Sequence, residues 1–106
     1  MDIKNTMQNG VLTVSLQGEL DHHGAVDVRR DIDALIDSAR PKKVVLCLKD
    51  VYFCDSSGLG LIMGRYKKTA AMGAVLTVGD PSAAVERIMR LAGLDKLIKT
   101  ERSGVA

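Results

Sequence analysis

Two periods of apolar residues divide the chain. In "VLTVSLQ", residues 11–17, Leu12, Val14 and Leu16 fall on one side of a strand and Thr13 and Ser15 on the other, so this segment buries one face. Residues 3–8 form a second strand, and Asn9-Gly10 between the two suits a type I′ hairpin, which makes the pair antiparallel. Ala25, Val28, Ile32, Leu35 and Ala39 then recur at steps of three and four among charged residues, the pattern of an amphipathic helix that Pro41 stops.

Residues 43–48, "KVVLCL", are nearly continuous in apolar character and predict a central strand covered by helices on both faces. Leu59, Ile62, Met63, Tyr66 and Ala70 mark a second helix ending near Gly73, and "AVLTVG" marks another short strand. Pro81 is expected as the first residue of a third helix, with the stripe Val85, Ile88, Met89 and Ala92 and the terminator Gly93. Residues 96–100 are read as an edge strand and residues 101–106 as a frayed tail.

The resulting order, β-β-α-β-α-β-α-β, predicts an α/β fold: a mixed, mostly parallel sheet of four to five strands with an N-terminal antiparallel hairpin and at least three helices. With 106 residues the chain is read as one domain with a core over about 3–100. Parallel strands joined by crossover helices bring their carboxyl ends to one edge, where open α/β sheets bind ligands. The connections at residues 18–23, 50–58 and 79–82 are expected to meet there.

Composition narrows the function. Apolar residues make up 46% of the chain and aromatics only 3%, so the core must be aliphatic. The formal charge of +2 is spread among interleaved acids and bases, which favours neither nucleic acid nor a membrane surface as a partner. No apolar run reaches the roughly 18 residues of a membrane span, and residues 1–10 have no signal-peptide pattern, so a cytoplasmic location is expected. Cys47 and Cys54 lack ligand spacing and are read as buried free thiols.

The candidate chemistry lies in "VYFCDSSGLGLIMGRYKK", residues 51–68. Gly58-Leu59-Gly60 follows a strand and opens a helix, as in a dinucleotide-binding loop. The third glycine of that fingerprint should stand at position 63, which is Met63, and Gly64 comes one residue late. A small nucleotide-binding protein using the Gly58–Gly60 loop is therefore the alternative reading. A hydrolytic serine would need a glycine two residues before Ser56 or Ser57, and neither has one; the adjacent His22 and His23 lack a third ligand for a metal. Neither a catalytic residue nor a cofactor or metal is expected. Ser56 or Ser57 is expected to cap the second helix. Gly60 and Gly64, one turn apart, allow close packing on the sheet or close approach by a partner, and spacing alone does not choose between them. Arg65, Lys67 and Lys68 are read as a solvated face, with partner contact as the alternative.

"GELDHH" at residues 18–23 and "DSSGLGLIMGRYK" at residues 55–67 resemble the bacterial anti-sigma factor antagonists, the family sharing the STAS domain, and within it the antagonists of the sporulation sigma-F pathway. The order of elements matches across roughly residues 3–100. The resemblance implies a non-enzymatic protein that, unphosphorylated, binds an anti-sigma factor which is also a serine kinase and so frees the sigma factor. It further implies phosphorylation of Ser56, the serine directly after the aspartate of the motif, and reset by a PP2C-type serine phosphatase. Asp21, His22, His23, Asp55, Ser57, Gly58, Leu59, Gly60, Met63 and Gly64 are the partner-binding candidates. A phosphate on Ser56 is expected to meet free N–H groups at the helix start while Asp21 and Asp55 repel it. Ser57 is then the better candidate for capping.

Overall fold

A computed structural model describes residues 1–103. Strands β1 (Asp2–Gln8) and β2 (Val11–Leu20) form the hairpin, followed by α1 (His22–Ala39), β3 (Lys43–Cys54), α2 (Ser56–Ala71), β4 (Val75–Gly79), α3 (Ala83–Leu91) and β5 (Thr100–Glu101). Asn9 and Gly10 both take positive φ, 53° and 80°, as a type I′ turn requires. The sheet order is β1-β2-β3-β4-β5, antiparallel only between β1 and β2.

This order explains one departure from expectation. Each crossover steps one strand in the same direction, and α1 and α2 pack side by side on one face of the sheet while α3 packs against β3. Leu12, Val14 and Leu16 in β2, and Val44, Leu46 and Leu48 in β3, are buried on that face, while Thr13, Ser15, Val45 and Cys47 on the other are only half-buried. The central strand is therefore covered on one side, and its apolar run does not report two covered faces. Cys47 and Cys54 are free but half-buried, so the expectation of buried thiols holds only in part.

β3 continues six residues past Leu48. Lys49 and Asp50 interrupt the apolar run, but the register shifts that accompany them let β2 and β3 stay paired to their ends, where Leu20 lies opposite Cys54. Pro81 precedes α3 instead of opening it: Ser82 is the cap, its side chain accepting from the Val85 N–H. The last strand is shorter and later than expected. Lys96 ends a 3-10 turn, and β5 comprises only Thr100 and Glu101. The start of the supposed tail is held: Asp80 accepts from the N–H and hydroxyl of Ser103, Arg102 pairs with Glu86, and Lys43 pairs with Glu101. Residues 104–106 lie outside the described residues.

Candidate functional site

Because Leu20 and Cys54 are register partners on adjacent parallel strands, the residues that follow them, Asp21 and Asp55, start α1 and α2 side by side. The Asp55 N–H donates to the Leu20 carbonyl at 3.4 Å, which joins the two turns. Each aspartate caps its own helix: Asp21 Oδ1 accepts from the Gly24 N–H at 2.9 Å, and Asp55 Oδ1 accepts from the N–H groups of Ser57 at 2.8 Å and Gly58 at 3.3 Å. The Asp21 carboxyl is held below the usual carboxylate range, chiefly by the Gly24 N–H; burial opposes this, and the charge of His23 adds to it.

The cap of α2 is thus Asp55, and neither serine side chain takes that role. An aspartate and a serine are about equally good caps, and in "DSS" the aspartate comes first. Ser56 is the first helical residue and is exposed; Ser57 is half-buried. The expectation of free N–H groups for a phosphate changes accordingly, since the Asp55 carboxylate already holds two of the first donors of α2.

Gly58 is buried, and a Cβ there would stand 2.9 Å from the Leu20 carbonyl oxygen and 3.0 Å from Leu20 Cγ, besides meeting Cys54 Sγ. A glycine is required where α2 passes over the end of β2. With its N–H given to Asp55 and its Cα against Leu20, Gly58 is no phosphate cradle. Gly60 and Gly64 differ: a Cβ at either meets nothing within 4 Å. Close packing on the sheet therefore does not explain them.

Between α1 and α2 runs a groove of about 300 Å³ lined by His22, Val26 and Arg29 on one side and Ser57, Gly60 and Leu61 on the other. Of the partner-binding candidates it gathers His22, Ser57 and Gly60. Leu59 packs against the core, Met63 and Gly64 are half-buried, and His23 is exposed, its ring centroid 5.9 Å from that of His22. Val26 and Arg29 were not foreseen. Val26 lies off the buried stripe of α1 and is exposed, which is the signal that could have found it.

Arg65 and Lys68 do not form a solvated face. Arg65, 7% exposed, meets Asp33 at 2.9 Å, and Lys68 meets Asp37 at 2.9 Å, so both tie α2 to α1; Lys67 is exposed. Burial lowers the proton affinity of Arg65, and Asp33 opposes that shift. The Cys54 thiol is pushed up to about 11 by burial and by the neighbouring Asp55 charge. Among the described residues no group of three or more His, Cys, Asp or Glu is placed to hold a metal ion, and no helix is long and apolar enough to cross a membrane.

The STAS domain family model matches residues 2–104. The chain belongs to the STAS-domain family. Several of its relatives are named anti-sigma factor antagonists. It is 41% identical over 98 residues to an anti-sigma F factor antagonist of Paenibacillus polymyxa, covering 92% of this chain and 84% of the relative. Among solved structures, that of the anti-sigma factor antagonist SpoIIAA in its unphosphorylated form superposes with a TM-score of 0.79 at 26% identity, over 93% of this chain and 87% of that one. The phosphorylated form of the Bacillus cell fate determinant SpoIIAA superposes with a TM-score of 0.73 at 25% identity, over 93% and 90%. The five-stranded mixed sheet, the N-terminal hairpin and the three helices are those of this fold. The antagonist class of these relatives is the one that the chain's similarity supports.

Proposed function

We propose that this STAS chain, unphosphorylated, binds an anti-sigma factor of the sporulation type that is also a serine kinase, and so frees the sigma factor. Ser56 is the switch. In the kinase step the Ser56 Oγ attacks the γ-phosphorus of ATP, its proton passes to a base on the kinase, and ADP leaves. A PP2C-type phosphatase reverses the state by hydrolysis, water attacking phosphorus and Ser56 Oγ leaving.

The observation that carries this reading is an exposed hydroxyl at the first position of α2, behind a cap that already holds the Ser57 and Gly58 N–H groups. A phosphate brings about −1.5 to −2 charges. It would stand beside Asp55 and the neighbouring Asp21 turn, where two carboxylates already sit and the Ser57 and Gly58 N–H groups are taken. Its charge therefore projects toward a partner without being neutralised within the chain, and like charge at an interface costs several kcal/mol. The fold has no need to rearrange. The open strip at Gly60 and Gly64, beside the α1–α2 groove, supports close approach by that partner next to Ser56.

Incubation with ATP and the anti-sigma factor kinase, followed by intact mass and peptide mapping, tests the assignment. One phosphoryl group on Ser56, absent from Ser56→Ala, is expected. Phosphate mapping to Ser57, or persisting in Ser56→Ala, overturns it.

A further inference from the structure

A second cleft of about 300 Å³ lies between the tip of β3 and α3. Its lining includes Tyr52 and Phe53 from the strand and Ala84, Arg87, Ile88 and Leu91 from the helix. The chain has three aromatic residues, and two of them stand here in the open, Tyr52 at 69% and Phe53 at 47% exposure; Leu91 is 76% exposed. α3 buries Val85 and Met89 against the rest of the chain. Ala84, Ile88 and Leu91, at i, i+4 and i+7, make a second apolar row that lines the cleft, half-buried at Ala84 and Ile88 and exposed at Leu91. The hydroxyl of Ser82, the cap of α3, donates to the Val51 carbonyl and fixes the helix start to the strand tip, so the cleft is preformed.

Of the residues that line the cleft, Arg87 carries the charge. Glu86, the nearest acid on α3, is engaged by Arg90 and Arg102, while Arg87 has no ion-pair partner among the described residues. An exposed aromatic pair beside an unpaired arginine has the composition of an interface core. A stable complex also buries roughly 800 Å² and 20–30 residues on each side. The groove beside Ser56 is lined by only seven residues, so a partner seated there must extend beyond it. Three residues separate Tyr52 from Ser56, and two of them, Phe53 and Cys54, line the cleft.

We infer that the cleft between the β3 tip and α3 is a second docking surface for the anti-sigma factor, receiving an apolar side chain flanked by a carboxylate that pairs with Arg87. This rests on the proposed function and adds a division of labour to it: the cleft supplies affinity, and Ser56, outside the cleft, supplies the switch.

The test is interferometric binding of purified anti-sigma F factor of Paenibacillus polymyxa to the full chain and to Tyr52→Ala, Leu91→Ser, Arg87→Ala and Arg87→Glu, with Lys4→Glu on β1 as control. Truncation of an aromatic anchor is expected to weaken binding roughly ten-fold or more, and Arg87→Glu to weaken it further than Arg87→Ala. Thermal midpoints should stay unchanged, because these side chains are exposed, and Lys4→Glu should bind as the parent does. Parent-like binding by all four cleft variants, while Ser56→Glu fails to bind, overturns the inference and leaves the proposed function standing. A concentration-dependent homodimer lost in Tyr52→Ala, with anti-sigma factor binding unchanged, gives the cleft to a second copy of the chain and also overturns it. Failure of the parent chain to bind removes both.

Discussion

Gly60 separates stability from binding. A glycine inside an exposed helix costs roughly 0.5–1 kcal/mol relative to alanine through lost backbone entropy. Normally a neighbour that would collide with a Cβ justifies that cost, as the Leu20 carbonyl does at Gly58. At Gly60 the space within 4 Å is empty. Gly60→Ala should therefore stabilise the isolated protein by about 0.5–1 kcal/mol, raising its thermal midpoint by about 4 °C per kcal/mol for a domain of this size. If a partner occupies the strip, the same methyl overpacks that contact at about 1–3 kcal/mol, a roughly five- to hundred-fold loss of affinity. Gly60→Leu should keep the gain in stability and lose more affinity. Denaturant unfolding and calorimetric titration with the anti-sigma factor, on the same preparations, read both effects. A destabilised Gly60→Ala would show that the chain itself needs the space. A stabilised variant with unchanged affinity would refute the partner explanation of the glycine.

Gly58→Ala should behave oppositely, losing about 1–2 kcal/mol net because a backbone carbonyl cannot move aside; a neutral result by urea unfolding would show that α2 tilts freely. Asp33→Ala leaves the buried Arg65 guanidinium without its counter-charge and should cost about 3 kcal/mol, whereas Asp33→Leu with Arg65→Met should be nearly neutral; equal losses in the two would contradict the pair's role. Asp21, Asp80 and Glu101 are held below the usual carboxylate range in the folded state by hydrogen bonds, to Gly24, Ser103 and Lys43 foremost. As pH falls the unfolded chain therefore binds protons first. The stability these groups contribute is present above about pH 4–5 and drains below it, a slope that Asp80→Asn should flatten in acid titrations of unfolding. With its thiol pushed up to about 11, Cys54 should resist iodoacetamide at pH 8 in the folded protein and react after unfolding.

The order of strands and helices was legible because each element repeats its period over several turns. Lengths were less so where tertiary structure intervenes. β3 runs on through Lys49 and Asp50 because it bulges there, taking extra residues opposite β2, and β5 is two residues long because it needs only the edge of β4. The one-sided cover of β3 follows from strand order, which the run "KVVLCL" does not carry. At the site, the motif located Asp55, Ser56 and the helix start, but not which of three adjacent polar residues caps it. Arg65 and Lys68 were misread as solvent-facing although Asp33 and Asp37, one turn apart on α1, offered a matching row; spacing within one helix does not say which face meets another. The same limit left Gly60 and Gly64 undecided until the surroundings of each could be measured.

The central claim is that one phosphate on an exposed helix start abolishes binding through charge and bulk while the fold persists. Calorimetric titration of the anti-sigma factor with the unphosphorylated chain and with the chain phosphorylated on Ser56, alongside thermal unfolding of both, tests it directly. The account predicts a loss of affinity of roughly a hundred-fold or more at closely similar thermal midpoints. Equal affinity of the two forms, or a phosphorylated chain whose cooperative unfolding is lost, would contradict it.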